Sequence, residues 1–279
     1  MKRRLRTPRR AVVAAAALTL AAAPLSACGE PPTTVMQPEG PTIAIGVAAD
    51  EPGLSRWHDG TYSGFETDVA RYVAGRLGYA DKQIIFKQVQ PSNRFDLLGD
   101  GTVDMVVAGM PMPENGADAG VVSDGQATYA GPYLTVTRNV LVRTDGAAAA
   151  DTTDALDGAA VCAVSGSGAG DALLDAQRRV VIRERDTYPQ CLTDLMVGTA
   201  DAVAGDSVVL AGLAREAGDG YAMPARARYG SVRYGIAVAP GAVALAAAVE
   251  DALKDMRDDG SYDKAMDALP DDAGWHAVR

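Results

Sequence analysis

Two turns at the ends of predicted strands carry the groups best suited to bind a charged ligand. Residues 165–167, Ser-Gly-Ser, connect the predicted strand 160–164 to a predicted helix at 171–179. Backbone N–H groups at such a turn can hold a carboxylate, although a plain tight turn would use the same residues. Asp206 stands between the strand 202–204 and the helix 207–217, where its carboxylate can either cap the helix or face a ligand.

The cysteines indicate a disulfide, and the histidines argue against a metal site. Cys28 follows the apolar N-terminal segment, which leaves Cys162 and Cys191 as an even pair in the rest of the chain. In an exported chain such a pair is expected to oxidise to a disulfide; two buried free thiols are the alternative. Closing a loop of this span would stabilise the fold by about 3.5 kcal/mol. The only histidines are His58 and His276, and no Cys-x-x-Cys or His-x-x-x-His occurs. The sequence therefore predicts no metal and no cofactor.

The N-terminus has the features of an export signal. Residues 1–10 contain six basic side chains and no acid, and an apolar, alanine-rich run follows over 11–25. This run is too short for a comfortable membrane span. It ends at Leu25-Ser26-Ala27-Cys28, which resembles the lipobox of bacterial lipoproteins. We expect 1–27 to be a lipoprotein signal peptide, Cys28 to be lipidated and 28–41 to be a flexible tether. An ordinary signal peptide with an incidental cysteine is the alternative.

The charge of the chain disfavours two classes of partner. The whole chain has a formal net charge of −10, and loss of the six basic leader residues would bring it to about −16. Such an acidic protein is not suited to nucleic acid or to a polybasic contact with a membrane surface. We expect membrane attachment through the lipid anchor only, on the outer face of the cytoplasmic membrane.

Strand-like and helix-like segments alternate along the chain. Strands are predicted at 42–47, 84–86, 103–108, 140–142, 160–164, 180–182 and 202–204, and helices at 65–77, 94–98, 171–179, 192–197, 207–217 and 243–257. Such alternation implies βαβ units and parallel sheets. Residues 101–109, GTVDMVVAG, are echoed at 198–205, GTADAVAG. Two copies of one helix–turn–strand element predict two similar lobes, with chance similarity in an Ala/Gly/Val-rich chain as the alternative.

A series of short motifs runs through residues 41–268. The most specific is Gly60-x-Tyr62-x-Gly64-Phe65-Glu66-x-Asp68-Val69-Ala70; the others are Asp50-Glu51-Pro52-Gly53-Leu54, Gly101-x-Val103-Asp104, Gly131-Pro132-Tyr133, Ser165-Gly166-Ser167, Asp201-Ala202-Val203 and Tyr234-Gly235-Ile236-Ala237. They resemble the family 3 (polar amino acid) solute-binding proteins of ABC importers, and within them the glutamate-binding lipoproteins of Gram-positive bacteria. The resemblance implies a periplasmic-binding-protein-like fold of two α/β lobes with a ligand cleft and two hinge crossovers. Lobe one is expected at 42–137 plus 235–279, and lobe two at 138–234.

The same resemblance implies a set of ligand contacts, namely Asp50, Phe65, Arg94, Ala108, Gly109, Ser165, Ser167 and Asp206. Asp206 takes the place of the carboxylate that receives the ligand ammonium. Arg94 matches an arginine that can pair with a side-chain carboxylate in glutamate and aspartate binders, with a surface arginine as the alternative. Asp50 and Phe65 lie near the cleft mouth in this mapping, although the helical spacing of Phe65 also fits the core.

One feature of the family is missing. Members usually carry a Thr and an Arg shortly after the position of Gly109, and that Arg clamps the α-carboxylate of the ligand. Here no Lys or Arg occurs between Arg94 and Arg138. Either Arg94, Arg138 or an arginine of lobe two replaces the clamp, or the ligand is not a standard α-amino acid.

These features together predict a lipid-anchored, extracytoplasmic substrate-binding protein of an ABC transporter. We expect a small polar ligand, an amino acid resembling glutamate, aspartate or glutamine; an ABC permease as partner; and a monomer. One alternative is a ligand-sensing lipoprotein of the same fold. Another is a periplasmic dehydratase-like enzyme, for which only Glu51, Glu66 and Glu114 stand near the motifs as general acids. We expect no catalysis.

Overall fold

The computed structural model describes residues 38, 40–114, 120–147 and 151–276, so the predicted signal peptide and Cys28 lie outside the described residues. The helices are α1 (Phe65–Arg76), α2 (Arg94–Gly99), α3 (Thr144–Ala147), α4 (Ala169–Ala176), α5 (Tyr188–Val197), α6 (Ser207–Ala217), α7 (Val243–Asp258) and α8 (Ser261–Ala273). The strands are β1 (Ile43–Val47), β2 (Asp50–Glu51), β3 (Ser55–His58), β4 (Thr61–Ser63), β5 (Ile84–Gln88), β6 (Met105–Val106), β7 (Val121–Ser123), β8 (Thr128–Arg143), β9 (Ala160–Val164), β10 (Val181–Arg185), β11 (Ala202–Asp206), β12 (Tyr221–Ala222) and β13 (Ser231–Val238).

One mixed sheet runs through the molecule in the order β10-β9-β11-β8-β13-β6-β1-β5. β1 pairs in parallel with β5 and β6, and β9 pairs in parallel with β10 and β11. These two parallel groups are the cores of two α/β lobes, lobe one around β1 and lobe two around β9. β8 and β13 join the lobes and run antiparallel to each other. β8 is also antiparallel to β11, and β13 is antiparallel to β6. The predicted parallel arrangement therefore holds within each lobe and fails at the crossovers.

The longest strand, β8, was only partly predicted. It covers Thr128–Arg143, whereas the sequence pattern predicted a strand at 140–142 alone. The reason is local, because the pair Gly131-Pro132 within it is typical of a turn. Along β8 the pairing changes: Thr137 lies opposite Ser231 of β13, and Arg138 lies opposite Asp206 of β11.

The helices cover the sheet with apolar faces at the predicted spacing. α1 buries Phe65, Val69 and Val73, which is the i, i+4, i+8 stripe of an amphipathic helix. The predicted helix at 171–179 is shifted, because α4 begins at Ala169 and ends at Ala176. No helix in the described ranges combines the length and the apolar content needed to cross a membrane.

The predicted disulfide is present in lobe two. Cys162 in β9 and Cys191 in α5 are bonded with a Cα–Cα distance of 5.4 Å, and neither side chain is exposed. The bond ties a helix of lobe two to the central strand of its parallel group.

Candidate ligand-binding site

Arg94 reaches backbone groups of both lobes. It begins α2, and its side chain is buried. Its Nη1 donates to the carbonyl oxygens of Ala108 (3.3 Å) and Gly109 (3.4 Å) in lobe one, and its Nη2 donates to that of Gly166 (3.2 Å) in lobe two. Its Nε has no partner among the described residues. These hydrogen bonds are long, so the guanidinium keeps capacity to bind an anion.

Glu66, near the start of α1, holds the segment that contacts Arg94. Its side chain is fully buried. Its Oε1 accepts the N–H of Gly109 at 2.7 Å and the hydroxyl of Tyr133 at 2.5 Å, and its Oε2 has no partner in the described part of the chain. Burial raises the pKa of Glu66, and the hydrogen bonds from Tyr133 and Gly109 oppose that shift. Glu66 thus fixes Gly109 in place.

Asp206 faces the same region from lobe two. Its Oδ1 accepts from Nε of Arg138 at 3.3 Å and its Oδ2 from the hydroxyl of Tyr234. Although Asp206 precedes α6, its side chain makes no capping hydrogen bond. Burial raises its pKa, and the positive charge of Arg138 opposes that shift.

Gly109 and Asp206 both lie close to the hydroxyl end of Tyr234. A Cβ placed on Gly109 would stand 3.5 Å from the Tyr234 ring, and the Tyr234 hydroxyl donates to Asp206. Asp206 and Arg94 also interact electrostatically. The side chains of Glu51, Glu66, Arg94, Arg138 and Asp206 are called the central cluster below.

Glu51 is a member of this cluster that the sequence reasoning did not assign to the ligand. It lies on β2, is 6% exposed, and its Oε2 has no partner among the described residues. Burial raises the pKa of Glu51 well above its usual value, and the charges of Glu66, Asp50 and Asp206 raise it further. Its motif was visible in the sequence, but a linear pattern does not show which of two adjacent acids is buried. Three other residues at the site, Glu66, Tyr133 and Tyr234, also belong to the motifs but are not among the predicted ligand contacts.

The turn at 165–167 meets Arg94 through its backbone. The Ser165 hydroxyl donates to Glu184 at 3.3 Å, and the Ser167 hydroxyl donates to the Val164 carbonyl at 2.7 Å. The Gly166 carbonyl is the group that accepts from Arg94. Gly166 has φ +76°, and a Cβ there would lie 2.6 Å from the Pro91 carbonyl oxygen of lobe one, so only glycine fits.

Phe65 lies in the core behind the central cluster. It is 2% exposed, and its ring centroid is 6.2 Å from that of Tyr133 and 5.9 Å from that of Tyr262. Tyr133 in turn donates to Glu66. The structure therefore places Phe65 where it supports Tyr133, as the helical spacing indicated.

Asp50 lies at the outer edge of the site. It lines a pocket of about 470 Å³ together with Trp57 and Tyr62 of lobe one and Thr187 and Pro189 of lobe two. Burial raises its pKa, and a hydrogen bond from the Tyr188 backbone opposes that shift. Asp50 and Glu51 are neighbours in β2, so the pocket and the central cluster adjoin through this strand.

The chemistry of the cluster suits a small charged ligand. Three buried carboxylates and two guanidinium groups face one another, and buried charges need partners of opposite sign. A zwitterion supplies one charge of each sign. Within the described ranges, no three His, Cys, Asp or Glu side chains are arranged to hold a metal ion.

Comparison of the sequence with known proteins agrees with this picture. The model of the bacterial extracellular solute-binding proteins, family 3, matches residues 43–268. The glutamate-binding protein GluB of Corynebacterium efficiens is 28% identical over 269 residues, covering 92% of this chain and 89% of that protein. The ABC transporter glutamine-binding protein GlnH of Bacillus subtilis is 28% identical over 224 residues, covering 80% and 78%.

Solved structures show the same architecture. An ancestral arginine-binding protein bound to arginine superposes with a TM-score of 0.72 at 25% identity, covering 82% of this chain and 98% of that one. An ancestral amino acid-binding protein described as a precursor of cyclohexadienyl dehydratase superposes with a TM-score of 0.70 at 25% identity, covering 82% and 95%.

Proposed function

Since the chain belongs to the bacterial extracellular solute-binding proteins, family 3, we propose that it is the lipid-anchored receptor of an ABC importer for a polar amino acid. Members of this family and the named relatives are solute-binding proteins, so the chain is a binding protein and not an enzyme. Its partner is the membrane permease of the importer, to which it delivers the ligand as a monomer.

The observation that carries this proposal is the position of Arg94 between the lobes. Its guanidinium donates to carbonyls of Gly109 and Gly166, and its Nε is unused among the described groups. Arg138, the other arginine of the cluster, is paired with Asp206. Arg94 is therefore the better candidate to replace the missing α-carboxylate clamp, while Asp206 receives the α-ammonium. Both contacts are charge-assisted, and an amino acid bridging them would favour the closed state.

The pairing of β8 supports the proposed lobe boundary between residues 137 and 138. Up to Thr137 the strand pairs with β13, and from Arg138 onward it pairs with β11. We therefore assign 42–137 plus 235–279 to lobe one and 138–234 to lobe two. Closure about the two crossovers, β8 and β13, would bring Arg94 and Asp206 onto the same ligand.

The relatives define the first ligands to test. The named proteins bind glutamate, glutamine and arginine, and the sequence resemblance favours glutamate, aspartate or glutamine. The lipid anchor rests on Cys28 and the residues before it, and places the receptor on the outer face of the cytoplasmic membrane. In cell fractionation, the wild-type chain should sediment with membranes and a Cys28→Ser variant should not.

A thermal-shift screen tests the binding function. The full-length protein, purified in mild detergent, is heated with each of the twenty amino acids. A ligand at a hundred times its Kd adds about 2.7 kcal/mol to the free energy of unfolding, which raises the melting temperature by roughly 5–10 °C. Arg94→Gln should abolish the shift, whereas Arg179→Gln, which removes an exposed arginine, should preserve it. No shift with any amino acid would overturn the proposal.

A further inference from the structure

Glu51 is buried without a partner for one of its carboxylate oxygens. Its Oε2 makes no hydrogen bond within the described part of the chain, and the residue is only 6% exposed. Its charged neighbours are Glu66, Asp50, Asp206 and Arg94, so it faces the central cluster. A buried carboxylate oxygen without a donor is costly, which indicates that the bound ligand supplies one.

The other acids of the cluster each accept hydrogen bonds. Glu66 accepts from Gly109 and Tyr133 through Oε1, although its Oε2 also has no partner among the described residues. Asp206 accepts from Arg138 and Tyr234, and under the proposed function it also receives the α-ammonium. Glu51 is thus the acid whose hydrogen-bonding capacity is least used.

The balance of charge also indicates a ligand whose side chain donates hydrogen bonds. Asp50, Glu51, Glu66 and Asp206 are opposed by Arg94 and Arg138, so acids outnumber bases in and beside the cluster. An α-carboxylate on Arg94 would leave no arginine of the cluster free for a second carboxylate. A ligand with a side-chain carboxylate would instead add a further acid beside Glu51, and only one of two such buried groups could ionise, which disfavours binding.

We propose that Glu51 accepts a hydrogen bond from the side-chain end of the ligand, so that this receptor selects amino acids with an amide or cationic side chain over those with a side-chain carboxylate. This inference rests on the proposed function. It assigns the α-groups to Arg94 and Asp206, and the side-chain end to Glu51. β2 supports that geometry, because it packs against α5 and α6 of lobe two and so lies where the lobes meet.

Isothermal titration calorimetry on the full-length protein in detergent tests the selection. L-glutamine, L-arginine and L-glutamate are the probes. The wild-type protein should bind glutamine or arginine at least about tenfold more tightly than glutamate. Glu51→Gln should weaken that preferred ligand about tenfold and reduce its advantage over glutamate. Glu51→Asp, which keeps a carboxyl group, should retain the order of preference.

Two controls separate a binding effect from a folding effect. Glu114→Gln neutralises an acid that is exposed, and it should leave all three affinities unchanged. Circular dichroism should show that Glu51→Gln is folded, because a neutral amide of the same size fits the same space and adds no buried charge. Tighter binding of glutamate by the wild type, or an unchanged preference in Glu51→Gln, would overturn the inference and leave the proposed function standing. Failure of every amino acid to bind would overturn both.

Discussion

The helix–turn–strand element of lobe one, at 101–109, and its copy in lobe two, at 198–205, each use an aspartate at the same position to fix the turn. Asp104 Oδ2 accepts the N–H of Ala44 at 2.7 Å, and the Asp104 N–H donates to the Ala44 carbonyl at 2.8 Å. In the copy, Asp201 Oδ2 accepts the N–H of Ala160 at 2.9 Å, and its N–H donates to the Ala160 carbonyl at 2.7 Å. Each aspartate ties its turn to the next parallel strand.

The two copies differ in the residue that they present to the central cluster. Five residues after each aspartate stand Gly109 and Asp206. Gly109 offers only backbone groups, which meet Glu66 and Arg94. Asp206 offers a buried carboxylate. The same element therefore presents backbone groups to the central cluster from lobe one and, through Asp206 directly after the copy, a carboxylate from lobe two.

The largest effect is expected from the disulfide, which reinforces the second copy only. Cys162 lies opposite Val203 of the copied strand, and the bond closes a loop with a sequence separation of 29. The double variant Cys162→Ala/Cys191→Ala should lose about 3.5 kcal/mol of unfolding free energy. The melting temperature would fall by roughly 7–14 °C. Equal melting temperatures for the reduced and the oxidised wild-type protein would contradict this expectation.

Asp206, which follows the second copy, should contribute most to the affinity for the ligand. Asp206→Asn keeps the shape of the side chain but removes the charge that we propose receives the ligand ammonium. Truncating a buried charge pair costs about 2–5 kcal/mol, so the Kd for the preferred amino acid should rise about a hundredfold. Calorimetry measures this change. An affinity within threefold of wild type would mean that Asp206 serves Arg138 and not the ligand.

Glu51 and Asp206 should make stability depend on pH to different degrees. Burial, followed by the charges of Glu66 and Asp50, raises the pKa of Glu51 above its usual 4.5, whereas Arg138 limits the rise at Asp206. Between 4.5 and the raised pKa, folded Glu51 holds a proton that the unfolded chain has released. Its stabilising contribution is complete below 4.5 and is lost as the pH rises through the folded pKa.

The melting temperature of the ligand-free protein, followed from acid to neutral pH, measures this dependence. Glu51 should contribute a fall in stability with rising pH, and Glu51→Gln should make that fall shallower. Glu114→Gln, in which the removed carboxylate is exposed, should follow the wild-type curve. Identical curves for all three proteins would show that Glu51 is not held protonated by the fold.

Replacing Gly109, at the end of the first copy, should have a smaller effect on stability and on ligand affinity. Gly109 has φ +53°, so Gly109→Ala is expected to cost about 1–2 kcal/mol of stability through backbone strain. Its added methyl group would meet the Tyr234 ring at an ordinary distance of 3.5 Å. The N–H and carbonyl remain, so ligand affinity should fall less than about tenfold. Gly75→Ala in α1, where a Cβ meets open space, should instead stabilise the protein by about 0.5–1 kcal/mol.

The smallest effect on stability is expected for the aspartates Asp104 and Asp201 of the two copies. Asp104→Ala and Asp201→Ala each remove one side-chain hydrogen bond, worth about 1 kcal/mol. The Asp104 bond is partly buried and the Asp201 bond is exposed, so the loss in lobe one should be the larger by a few tenths of a kcal/mol. Denaturant unfolding of the two variants measures the difference. A larger loss in lobe two would contradict the expectation that the more buried hydrogen bond is worth more.

Elements with strong local signals were predicted closely. α1, α6 and α7 follow their apolar spacing to within about one residue, because each helix buries one stripe of side chains against the sheet. β8 was largely missed, because Gly131-Pro132 has the local preference of a turn while pairing with β13 keeps the segment in a strand. The α8 helix, at Ser261–Ala273, was missed as well.

The sequence by itself determined the βαβ alternation, the internal copy, the disulfide pair and the family, since periodicity, spacing and motif order are local properties of the chain. It also placed Arg94, Gly109 and Asp206 among the candidate residues. Only the tertiary structure decided that Arg94 contacts carbonyls of both lobes and that Glu51 is buried beside Asp206. Burial and charge pairing arise between residues far apart in the chain, where the energy of each group depends on neighbours that folding alone supplies.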